Sequence, residues 1–202
     1  MGAKFLASDV YPVWFGMVRE ARRSIWILTP YLDQSIVPLI KMAGPEVESL
    51  VVTDLEPEAG PANYGKKLLA LKELLEAEIE VLSLSRLHAK VLVVDGMKVV
   101  AGSQNFTWYA RQSKEVSVMS GEAPDAALVR LAAWVELAQP VDIELVERLI
   151  DATDGITVAV DRALSQLQAR VVEEVASREA RLGGCRSACL GGCRGSDLGG
   201  CR

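Results

Sequence analysis

Between residues 13 and 84 the apolar residues alternate between helical spacing and short β-rich runs, and this alternation limits the fold more than any other feature of the chain. Trp14, Met17, Val18 and Ala21 recur at helical intervals within residues 13 to 23, and the segment ends in basic residues suited to a helix C-terminus. SIWILTPYLD (24–33) follows as a strand stopped by Pro30. The same pair of patterns returns in SIVPLIKMA (35–43, helix), VESLVVTD (47–54, strand), NYGKKLLALKELLEA (63–77, helix, with Leu68, Leu69, Leu71, Leu74 and Leu75 inward) and IEVLSL (79–84, strand). Alternating helix and strand require crossover connections. The expected fold class is therefore α/β, a mixed, mainly parallel sheet sandwiched by helices.

The sheet is expected to be mixed because HAKVLVV (88–94), apolar on both faces as a central strand would be, runs through Asp95-Gly96 into KVVAGS (98–103). Asp-Gly between apolar runs is a strong signal for a two-residue hairpin turn. That turn would pair Val94 with Met97 and place Ser103 opposite His88, with Lys90 on the same face as His88. Asp95 and Gly96 would then be turn residues, with Asp95 on the order of 20 Å from His88. EVSVMS (115–120) reads as a further strand and residues 125–138 as a helix closing a domain over 1–139.

A helical extension is expected over 140–181, in two helices separated at Thr153-Asp154-Gly155. The second carries an apolar stripe of Ile156, Val160, Leu164, Leu167, Val171 and Val175, fit to pack on its own domain or to join a larger complex. In 182–202, LGGCR occurs at 182, 190 and 198, glycine-rich text expected to remain disordered. Cys185, Cys189, Cys193 and Cys201, the chain's four cysteines, all lie in that tail, and their spacing matches no standard zinc site. The folded body cannot depend on disulfides, and no metal or cofactor is expected.

A net charge of −5 argues against a general nucleic-acid coat while leaving room for a local basic groove. No apolar run reaches the roughly 18 residues of a membrane span. Asp9 and Pro12 interrupt the apolar N-terminal stretch before it can form a signal-peptide core, so a cytoplasmic protein is expected.

His88 is the only histidine, and a lone imidazole is ordinarily a packed bystander. Its company argues otherwise. His88, Lys90, Ser103 and Asn105 are phosphate-binding types brought to one end of the sheet, and an ammonium entering a buried strand is costly unless an anion meets it. The run His88-x-Lys90, four residues, Asp95, six residues, Gly102-Ser103-x-Asn105 resembles the HKD signature of the phospholipase D superfamily, with the resemblance extending over about 13–139. Such proteins use two histidines, one attacking phosphorus and one protonating the leaving oxygen, and this chain supplies one. The chain thus resembles the small single-motif bacterial nucleases, and the resemblance implies a homodimer sharing one site.

It further implies that Lys90 and Asn105 bind phosphate oxygens with help from Ser103, that Gly102 is a structural part of the motif, and that Glu115 orients a histidine. Arg86, Trp108, Arg111 and Lys114 lie near the motif as substrate contacts, while Arg22, Arg23, Lys66 and Lys67 read more simply as solvated charge. The expected function is a metal-independent phosphodiesterase cleaving DNA or RNA through a phosphohistidine. The alternatives are a phospholipid hydrolase or phosphatidyltransferase, and a non-catalytic subunit that binds nucleic acid or protein through helices 141–181.

Overall fold

The computed structural model describes residues 3–56, 61–122 and 124–153, together with 166, 167, 169, 170 and 173. The chain divides into two compact units, residues 1–157 and 158–202. In the second, the described residues are helical. The remainder of the expected 156–181 helix and the LGGCR tail lie outside the described residues.

The first unit runs β1 (Lys4–Leu6), α1 (Tyr11–Arg19), β2 (Ser24–Leu28), α2 (Ile36–Ile40), β3 (Glu48–Thr53), α3 (Pro61–Glu76), β4 (Glu80–Ser83), β5 (Val91–Val94), β6 (Lys98–Gly102), β7 (Ser117–Ser120), α4 (Asp125–Leu137) and β8 (Gln139–Pro140). A further helix, α5, occupies residues 143–153. The strands form one sheet in the order β1-β7-β6-β5-β2-β3-β4-β8. Only β2–β3 and β3–β4 are parallel; the other ladders are antiparallel. The sheet is thus mixed, as expected, but not mainly parallel. Its parallel centre is the β2-α2-β3-α3-β4 crossover unit, and the β5–β6–β7 meander and the short edge strands add antiparallel pairings around it.

Alternation along the strands divides the core into two layers. Ile25, Ile27, Val51, Leu92, Val94 and Val100 face Trp14, Met17, Val18, Leu68, Leu71, Leu74 and Val146 of the helices on one side. Leu28, Leu50, Val52, Val91 and Val93 pack with Leu131 of α4 on the other. Each such side chain contributes on the order of 1.5–3 kcal/mol relative to exposure. Leu69, expected inward, is 45% exposed, and the buried face of α3 is completed by Tyr64 and Lys67.

Helix α5 belongs to this unit, contrary to a domain ending at 139. Val141 and Val146 are buried in the first core layer, β8 pairs with β4, and Lys72 of α3 donates to Glu147 at 2.7 Å. Among the described residues no helix is long and apolar enough to cross a membrane.

Helix α1 stops at Arg19, short of the expected residue 23. The backbone beyond it is captured: Asp95 accepts N–H bonds from Arg22 (3.0 Å), Arg23 (2.7 Å) and Ser24 (3.2 Å). Desolvation pushes the Asp95 carboxyl up, but these three donors and the Arg23 charge outweigh it and hold it below the ordinary aspartate value. A depressed carboxyl stabilises the fold above its unfolded pKa of about 4, and that contribution disappears as pH falls through the lower folded value. Asp95→Asn is therefore expected to be less stable than wild type in urea at pH 7, with the difference shrinking as the pH is lowered to 3. A gap that stays constant over that range would contradict the assignment.

Candidate active site

The β5–β6 hairpin carries the candidate site. Asp95 (φ 58°) and Gly96 (φ 64°) occupy its turn in the left-handed conformation that Asp-Gly favours, and Met97 donates its N–H to Val94 O at 3.1 Å. The ladder, however, pairs Val94 with Lys98 and Val91 with Ala101. The register expected from a two-residue loop is wrong by one, because Met97, 52% exposed, is an extra residue on the β6 side.

The shift changes every partner at the far end. Lys90, not Ala89, stands opposite Gly102, whose N–H it accepts at 3.1 Å. Ser103 is not opposite His88; it pairs across to Val116, donating its N–H to Val116 O (2.9 Å) and accepting the Val116 N–H on its hydroxyl (3.1 Å). The β6–β7 approach is close at this point, since a Cβ on Gly102 would lie 2.2 Å from Ser117 Oγ and 2.3 Å from Val116 O.

Strand β5 begins at Val91, so His88 and Lys90 lie in the segment leading into it rather than on a pleated face. Val91 pairs with Leu28, which places this segment at the carboxyl ends of β2 and the parallel strands beside it, where open α/β sheets build their sites. The His88 side chain is exposed. Lys90 is half-buried, and its ammonium donates to the His88 carbonyl at 3.1 Å. Burial lowers the Lys90 pKa from its ordinary value, and the Glu115 carboxylate acts in the opposite sense. Glu115 precedes β7 by two residues and accepts a short hydrogen bond from the Ser103 hydroxyl. The structure thus brings Lys90, Ser103 and Glu115 together, with Glu115 held by Ser103 rather than hydrogen-bonded to the His88 ring. Asn105 is half-buried, and its Oδ1 is buried with no hydrogen-bond partner among the described residues.

The loop carrying Asn105 is held by residues that motif reasoning did not single out. Gln104, 1% exposed, accepts the Val10 N–H (2.9 Å) and donates to Asp9 Oδ1 (2.7 Å). Asp33 accepts the Trp108 N–H at 2.7 Å, and Phe106 stacks on Trp14 with centroids 3.9 Å apart. The Thr107 hydroxyl accepts the Ala110 N–H at 3.2 Å, at the start of a 3-10 turn, Ala110–Gln112. The only sequence signal for these roles was the position of Gln104 inside the motif.

Among the proposed substrate contacts, Trp108 is 58% exposed, and the neighbouring Tyr109 is 80% exposed. Arg86 and Lys114 are also exposed. Arg111 is engaged within the fold: its guanidinium lies 3.9 Å from the Tyr11 ring centroid and 4.7 Å from that of Trp108, and Nε is 3.5 Å from Asp9. Lys67 is not a surface charge, being 4% exposed and donating to the Asp54 carbonyl. Arg22 and Arg23 lie at the other end of the hairpin with Asp95.

A family model described as "Cardiolipin synthase, PLD-like domain" matches residues 15–136. Over 98 residues the chain is 31% identical to a cardiolipin synthase of Geobacillus sp. (strain WCH70), covering 46% of this chain and 19% of that protein. The chain thus spans about a fifth of the length of the curated relatives it matches. Among solved structures, the phospholipase D family member Nuc from Salmonella typhimurium is similar at a TM-score of 0.57 and 19% identity, over 70% of this chain and 99% of that one. The phosphatidylserine synthase of Haemophilus influenzae Rd KW20 is similar at a TM-score of 0.54 and 13% identity, over 78% of this chain and 46% of that one. These two likenesses concern the fold.

Proposed function

We propose that this chain, which belongs to the phospholipase D-like family, is a metal-independent phosphodiesterase that cleaves nucleic acid through a phosphohistidine in a site shared by two copies. The observation that carries this reading is the cluster of Lys90, Ser103 and Glu115, on the segments that also carry His88 and Asn105, at the end of the hairpin beside the carboxyl ends of the parallel strands. In the proposed reaction a neutral His88 nitrogen forms a bond to phosphorus as the bond to the leaving oxygen breaks. The His88 of a second copy, as imidazolium, gives that oxygen a proton, and water then hydrolyses the phosphohistidine with the proton returning to the second imidazole. Lys90 and the Asn105 amide bind the non-bridging oxygens, assisted by Ser103, and supply the positive field the transition state needs. Glu115 is the carboxylate assigned to orient an imidazole, and Ser103 keeps it at this edge.

A second copy is part of the proposal because the chain holds one histidine and the reaction uses two. Nucleic acid is preferred as substrate because Trp108 and Tyr109 stand exposed just beyond Asn105, where they can stack on bases. A phosphatidyltransferase is the second reading, favoured by the cardiolipin synthase relatives. A panel of single- and double-stranded DNA, RNA and phosphatidylglycerol vesicles in EDTA separates them. Cleavage of a nucleic acid is expected. Turnover of the vesicles alone would select the second reading, and strict dependence on added divalent metal would overturn the mechanism.

A further inference from the structure

The segment that delivers His88 is held by a carboxylate outside the motif. Leu84–Leu87 forms a turn closed by the Leu87 N–H on Leu84 O (3.3 Å), and within it Arg86 has φ 61°. A residue with a Cβ enters that left-handed region at a cost of roughly 1–2 kcal/mol. Asp54, 4% exposed just past the end of β3, stabilises it: Oδ2 accepts the Arg86 N–H at 2.7 Å and Oδ1 the Glu56 N–H at 2.9 Å. The Leu84 N–H donates to Thr53 O at 2.7 Å, and the Ser85 hydroxyl donates to Glu56 at 2.8 Å. Leu87, 6% exposed, then enters the core layer under α4, and His88 emerges next.

From this arrangement we propose that Asp54 is a positioning residue for His88. By bonding the Arg86 N–H it selects the left-handed turn, and the turn sets the direction in which the chain leaves Leu87 and presents the imidazole. A buried carboxylate aimed at backbone N–H groups of two successive loops is expensive to bury without such bonds, so its geometry is coupled to theirs. The proposal rests on the reading of His88 as the reacting group.

The test uses the full chain and a double-mutant cycle of Asp54→Ala and Arg86→Gly, since glycine adopts positive φ without the penalty. His88 being the only histidine, its C2–H NMR resonance is a single unambiguous signal. The second readout is kcat and KM for bis(4-nitrophenyl) phosphate in EDTA. Asp54→Ala is expected to shift and broaden the His88 signal and to lower kcat by roughly 10- to 100-fold, the scale of a misplaced reacting group, with KM changed less than about threefold. In the Arg86→Gly background the same substitution should cost kcat only a few-fold. An equal loss in both backgrounds, or an unmoved His88 signal in folded Asp54→Ala, overturns the proposal. Should Asp54→Ala fail to fold, Asp54→Asn is carried through the same cycle with the same criteria. If wild type hydrolyses no phosphodiester, the functional reading fails while the NMR arm still decides whether Asp54 positions His88.

Discussion

His88→Ala is expected to reduce phosphodiester cleavage by at least roughly a thousandfold, because in the proposed reaction it removes both the nucleophile and the acid of a shared site. The side chain is exposed and lies in the segment before β5 rather than in the core, so the variant should fold with the urea midpoint of wild type. A variant that retains turnover would show that another group attacks phosphorus. Mixing adds a sharper measurement. When wild-type and His88→Ala chains are scrambled in equal amounts, a site needing two imidazoles survives in only about a quarter of random dimers. Independent sites would retain about half of the activity under the same mixing. The mixing curve therefore distinguishes a shared site from two complete ones without a structure of the complex.

Gly102→Ala is expected to be the most destabilising small substitution in the hairpin. The added methyl would stand 2.2 Å from Ser117 Oγ and 2.3 Å from Val116 O, and backbone cannot yield as a flexible side chain would. Forcing β6 and β7 apart also strains the Ser103–Val116 pairing and the Lys90–Gly102 bond, both of which hold site residues. A loss of about 2–4 kcal/mol is expected from such overpacking, read from urea unfolding at constant m-value. Adding Ser117→Gly removes the Oγ contact but leaves the carbonyl, so it should restore only part of the loss. Wild-type stability in Gly102→Ala would mean that the strands are farther apart than described.

The helix and strand alternation of residues 13–84 was legible because apolar period is a local property that each element must satisfy to bury its face. Strand pairing is not local. Strands β1 and β8, three and two residues long, are too short to carry a period and exist through partners β7 and β4. The motif spacing pointed to His88, Lys90, Ser103 and Asn105 as a group, yet an extra residue at Met97 altered which of them face one another. Asp9, Asp33 and Asp54 look in sequence like any acid near a turn. Their roles come from the Gln104 amide and the Trp108 and Arg86 backbone N–H groups, 95, 75 and 32 positions away respectively, and only the assembled fold brings such donors to them.

The number of residues in the hairpin turn acts as a parity setting for the strand that follows. With Asp95, Gly96 and Met97 between the paired ends, Val100 falls among the helices of the first core layer and Val99 and Ala101 on the opposite face. Had Met97 paired with Val94 instead, leaving two residues in the turn of the same sequence, those faces would be exchanged as far as Gly102. An exposed loop position is ordinarily where a chain tolerates lengthening or shortening most cheaply. Here a one-residue slip of the pairing, arising on the order of 20 Å from His88, would rewrite the arrangement of the candidate site residues without touching one of them.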